Sequence, residues 1–183
     1  MTWFSLALAG LVGMNPTVPL HSAAHLPSLS DPGTGSFEVT GEVEGSKSGE
    51  ASFTFTDSPG ADQLIIEITD AAGGQGIPSF ALTLSRTGEN LPAVPEPGTY
   101  EIGDDETGPD VFQAIFVDIS MTGPSAGYVT VEGYGGQLEI EHASETEIRG
   151  TFQFDAIEQD PETRETFGDV EVTGGSFSAT LDG

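Results

Sequence analysis

From Phe37 onward, apolar and polar side chains alternate with a period of two. Phe37, Val39, Gly41 and Val43 fall on one side of an extended chain, with Glu38, Thr40, Glu42 and Glu44 on the other. That is the pattern of a half-buried strand. The same period runs through Ala51, Phe53 and Phe55, through Leu64, Ile66 and Ile68, and through Phe80, Leu82 and Leu84. Residues 111–121 are more continuously apolar and predict a central strand. Residues 128–131, Leu138 with Ile140, and Ile148 with Phe152 and Phe154 continue the series. Val170 with Val172, then Phe177, Ala179 and Leu181, close it.

Turn residues separate these runs: Ser58-Pro59-Gly60, Ala72-Gly73-Gly74, Glu96-Pro97-Gly98, Thr122-Gly123-Pro124 and Gly135-Gly136. No stretch holds a helical period of useful length. The best, 157–167, is interrupted by Pro161 and reads as a charged loop or a single short turn. The expected fold is therefore all-β, an antiparallel β-sandwich or closed β-barrel of about ten strands. One such domain is expected over 36–183, behind a Pro/Ser/Gly linker at 25–35.

The first thirty residues are of another kind. They contain no charged side chain, and the first acid is Asp31. Residues 3–14 are an apolar run of signal-peptide length, too short to span a bilayer. Ser22-Ala23-Ala24 supplies a small-x-small cleavage pattern, so 1–24 reads as a signal peptide and the domain as secreted, periplasmic or on the cell surface. The basic residue that usually precedes the apolar run is missing. The alternative is an N-terminal strand or helix docked on the core.

Charge alters the picture most. Thirty Asp and Glu face four basic side chains, Lys47, Arg86, Arg149 and Arg164, for a net charge of −26. Such a chain repels nucleic acid and anionic membranes, and its own carboxylates destabilise the compact state. High salt relieves that repulsion by shrinking the Debye length to about 3 Å at 1 M. Bound divalent cations relieve it by neutralising clusters. The even spread of acids and the near absence of lysine favour the first, a halophilic surface; general solubility is the bland alternative. There is no cysteine, which removes disulfides, thiolate chemistry and a lipidated N-terminal cysteine.

Three C-terminal segments follow a recurring order: Gly136-Gln137-Leu138-Glu139-Ile140, Gly150-Thr151-Phe152-Gln153-Phe154-Asp155-Ala156 and Val170-Glu171-Val172-Thr173-Gly174-Gly175-Ser176-Phe177. This order resembles a group of uncharacterised exported or lipoprotein-type bacterial β-domains with a GTFxF…VxVTxGxF pattern. The resemblance implies an envelope or extracellular β-domain and brings no catalytic residues with it.

Candidate chemistry is sparse. Gly123-Pro124-Ser125-Ala126-Gly127 matches the G-x-S-x-G nucleophile pattern, which needs a helix behind the serine. Here Tyr128-Val129-Thr130-Val131 reads as a strand, so the motif predicts a hairpin turn. His142 follows Glu139 and Glu141 and suggests a metal site, against the simpler reading of an exposed histidine at a strand end. Acids are too numerous for any pair to mark a glycosidase. The best cation candidate is the loop 101–110, where Asp104, Asp105, Glu106 and Asp110 offer carboxylates of the kind calcium takes from flexible loops. The acidic stretch 155–171 is a weaker second. Tyr100, Tyr128 and Tyr134 are the aromatics open to a glycan platform. The expectation is a non-catalytic exported β-domain, structural or ligand-binding and adapted to high salt, with no cofactor unless calcium. A calcium- or glycan-dependent binding module, or a surface subunit assembling by exchange of its N-terminal strand, are the alternatives.

Overall fold

The computed structural model describes residues 33–58, 61–70, 77–104, 111–120, 123, 125–159 and 165–182. It contains β1 (Gly33–Gly41), β2 (Gly45–Thr56), β3 (Asp62–Thr69), β4 (Phe80–Gly88), β5 (Gly98–Ile102), β6 (Val111–Asp118), β7 (Ala126–Val129), β8 (Gly136–Ala143), β9 (Glu147–Gln159) and β10 (Thr166–Leu181). No helix occurs among the described residues, so none there is long and apolar enough to cross a membrane.

The ten strands form one sheet whose hydrogen bonds run in a ring. Antiparallel pairing carries the chain from β1 to β2, β3, β4 and β6. On its far edge β6 divides its partners: Val111 and Phe112 pair with β5 in parallel, while 115–118 pair with β7. β5 leads to β8 and β8 to β9; β7 reaches β9 directly at Tyr128 and Val129. β9 then pairs with β10, and β10 returns to β1 and, at its end, to β2. Every strand thus has a neighbour on both sides.

The alternating pattern gives this ring its inside and outside. Phe37, Phe53, Ile66, Leu82, Phe116 and Phe154 all point inward and are buried. Phe37 is the hub. Its ring lies edge-on to Phe80 of β4 at 5.5 Å and Phe116 of β6 at 5.8 Å, and 6.0 Å from Phe152 of β9. Such aromatic pairs add about 0.5–1.5 kcal/mol each beyond the area they bury.

In four places the strands depart from the alternation. β1 stops at Gly41, whose φ of 109° L-side chains rarely adopt. Glu42 and Glu44 therefore lie in the β1–β2 turn and do not share a strand face with Glu38. β2 begins at Gly45, six residues before the apolar run that marks it in sequence. β5 lies partly in the segment read as a cation loop. β9 and β10 extend through Gln159 and from Thr166, so both described ends of the segment read as a charged loop lie in strands. Sheet pairing overrode local polarity there.

β10 runs unbroken past Gly174, where φ is 58° and the register against β9 shifts between Val172 and Gly175. The extra residue flips the phase, so Val170 and Val172 face inward before it and Phe177 and Ala179 after it. β1 as described includes Gly33–Gly35, the last residues of the stretch read as a linker. The signal-peptide segment 1–24 lies outside the described residues.

Removing the hub should be felt throughout. Phe37→Ala is expected to lower unfolding free energy by about 3–5 kcal/mol. Phe167→Ala, at a position 62% exposed, should change it by less than about 0.5 kcal/mol. Chemical denaturation of both variants checks the contrast.

Candidate functional site

The predicted cation loop leaves the sheet where β5 and β6 run parallel, paired at Glu101 with Val111 and Ile102 with Phe112. Just beyond, the Gly103 amide donates to the Phe112 carbonyl at 2.8 Å. Buried Thr130 completes the clamp: its hydroxyl donates to the Gly103 carbonyl at 2.7 Å and accepts from the Ala114 amide at 3.0 Å. A buried hydroxyl satisfied in this way ties three segments together. The stem of the loop is rigid.

Asp104 sits at the top of that stem and lines a cleft of about 480 Å³ with Glu101, Glu132 and Tyr134. The turn from β7 to β8 forms the opposite wall. Asp105, Glu106 and Asp110 lie outside the described residues. Among the described residues no group of three or more His, Cys, Asp or Glu side chains converges as a metal site. The cleft thus gathers acids on its walls without drawing them to one point.

A second cluster escapes the sequence pattern. Lys47 occupies an inward position of β2, in phase with Ala51 and Phe53. Its Nζ donates to Asp118 Oδ1 at 2.9 Å and lies 5.8 Å from the centre of the Phe80 ring. Phe80 and Asp118 pair directly across β4 and β6, so the ion pair lies at the end of these strands. Tyr128 lies near it, 2% exposed. Burial pushes its hydroxyl pKa up, and the negative charges of Glu158, Glu42 and Asp118 push it further.

Arg86 mirrors Lys47 toward the other end of β4. It follows Leu82 and Leu84 in the inward phase, is 8% exposed, and its guanidinium lies 5.3 Å from the centre of the Tyr100 ring. Two of the four basic side chains therefore face inward against aromatic rings. One signal was present in the sequence: a lone lysine in the apolar phase of a strand. It becomes visible only once β2 is extended back to Gly45.

The remaining motifs take their simpler roles. β6 and β7 form the hairpin expected around Ser125, whose hydroxyl accepts from the Ser120 amide at 3.3 Å. A strand, not a helix, follows it. His142 is exposed, and its Nε2 lies 4.0 Å from Glu147 Oε2. Glu147 also lies 3.6 Å from Arg149 and accepts from Ser178 at 2.8 Å. Glu139 and Glu141 are exposed outward positions of β8. Tyr100 spends its hydroxyl on the Glu96 carbonyl at 2.6 Å and is half-buried, a poor glycan platform.

Lys47→Met keeps the apolar stem over Phe80 and removes the charge facing Asp118. It is expected to cost about 1–2 kcal/mol, less in molar salt than in dilute buffer. A urea titration of both proteins at two salt concentrations measures this. No family model matches the chain, and no curated protein or solved structure matches it.

Proposed function

We propose that this chain is a non-catalytic, exported β-domain of the cell envelope or extracellular space, structural or ligand-binding, and adapted to high salt. The observation that carries the proposal is the outer surface of the ring. Glu38, Glu67, Glu101, Glu139, Asp155 and Glu171 are exposed outward positions on six different strands. With thirty acids to four bases, most carboxylates have no basic side chain to meet. They are held apart by water and by dissolved cations, which is the condition high salt supplies.

The apolar, charge-free segment ahead of Asp31 supports export, as does the likeness of the C-terminal strands to envelope β-domains. A non-catalytic role is favoured by the hairpin around Ser125, where a strand and not a helix follows the serine. Partners carrying phosphates, nucleic acids among them, are disfavoured by the net charge of −26.

The melting temperature measured against NaCl tests the proposal. A rise of roughly 5–10 °C from dilute buffer to molar salt is expected, equivalent to a gain of about 2–3 kcal/mol in a domain of this size. A flat response removes salt adaptation from the account.

The cleft at Asp104 favours a second reading, a calcium-dependent binding module in which Asp104 offers a carboxylate from the cleft wall. Calorimetric titration of calcium in moderate salt separates the two readings. A saturable heat that is lost in Asp104→Asn supports the module; heat no different from magnesium's ends it.

A further inference from the structure

On three adjacent strands the acidic coat is interrupted. β4 pairs with β6 and β6 with β7, and no outward position of the three carries a charge. Their charged residues, Arg86 and Asp118, both fall in the inward phase. Every other strand displays at least one outward carboxylate.

The outward residues of these strands include an uncharged row. Thr83 of β4 lies opposite Ile115 of β6, Ile115 opposite Val129 of β7, and Val129 opposite Ile157 of β9. Directly paired residues project from the same side of a sheet. That side is the outside, because Leu84, Phe116, Tyr128 and Ala156, the next residues along, are core. Ala81 and Val117, also paired across β4 and β6, lie beside the row. Apart from buried Ile157, these side chains are half-buried by their neighbours. They leave a strip with no charge on it, which also takes in the outward pair Ser85 of β4 and Gln113 of β6.

The geometry points to this face as a self-association surface, on which a second copy of the chain docks sheet against sheet. Charge selects the occupant. A second copy approaching any other strand brings carboxylates against carboxylates, while here two uncharged faces meet. A basic partner would gain nothing on this face and much on its neighbours, and an anionic membrane is repelled by the acids around it. A two-fold axis supplies self-complementarity, since each subunit presents the same patch.

Size sets the strength. Strands β4, β6 and β7 at roughly 4.8 Å spacing, and about eight residues at roughly 3.3 Å, span about 400 Å². A standard interface buries roughly 800 Å² per partner. The pairing is therefore reversible, and it is opposed by the charge of −26 on each copy until salt screens it. It differs from strand exchange, since β1 is already paired on both edges within its own ring.

Sedimentation equilibrium of the full chain tests this, over protein concentrations of about 2–200 µM in about 0.15 M and 3 M NaCl. The expected result is a monomer–dimer equilibrium with a dissociation constant at least about tenfold lower in the higher salt. Ile115→Glu and Thr83→Glu should each weaken it at least about tenfold, while Thr151→Glu, on an already acidic part of β9, should leave it unchanged. Far-UV circular dichroism monitors folding. Thr83→Glu, at a polar half-buried position, carries the test alone if Ile115→Glu does not fold. A monomer under all conditions overturns the proposal, as does a dimer indifferent to both face variants or equally lost in Thr151→Glu. Dimerisation that appears only once residues 1–32 are removed would assign the face to the N-terminal segment, and also overturns it.

Discussion

The acidic surface and the apolar interior coexist because the sheet closes on itself. In an open sheet a period-two sequence separates two faces but leaves edges, where unpaired backbone groups recruit other chains. Here β10 returns to β1 and β2, and β7 joins β6 to β9. The two faces become an inside and an outside. Phe37, from the strand at the closure, reaches aromatic rings on β4, β6 and β9. Closure and core therefore depend on one another, and the carboxylates outside oppose both.

The four basic side chains are too few to neutralise that surface, and two of them are not used for it. Lys47 and Arg86 face inward in the apolar phase of β2 and β4, each over an aromatic ring. Lys47 also holds Asp118, the charged residue at the end of β6. The outer surface is left to solvent and dissolved ions, apart from the uncharged strip on β4, β6 and β7. On the reading proposed here, salt governs stability and association through the same carboxylates.

Much of the fold was legible because alternation is a local signal. Phe53, Ile66, Leu82, Leu138 and Phe154 could be assigned to the core from their neighbours alone. What escaped depended on distant partners. β5 is short, and parallel pairing with β6 and antiparallel pairing with β8 define it. The early part of β2 is Gly, Ser and Lys, and β1 makes it a strand. The site was less legible. Asp104 proved to stand on a rigid stem, but the clamp is Thr130, which has no sequence signature. Lys47 and Asp118 are 71 residues apart, and only the ring brings them together. The uncharged strip also needed the pairing, because Ile115 and Val129 look like core positions until their phase is known.

Native-state hydrogen exchange tests most directly the claim that ring closure and salt-screened repulsion together set stability. Amides of β1, β7 and β10 should exchange at one common free energy, that of global unfolding. That value should rise together in all three as NaCl is raised. Exchange of β1 or β7 through local opening, at a free energy independent of both salt and global stability, would contradict the account.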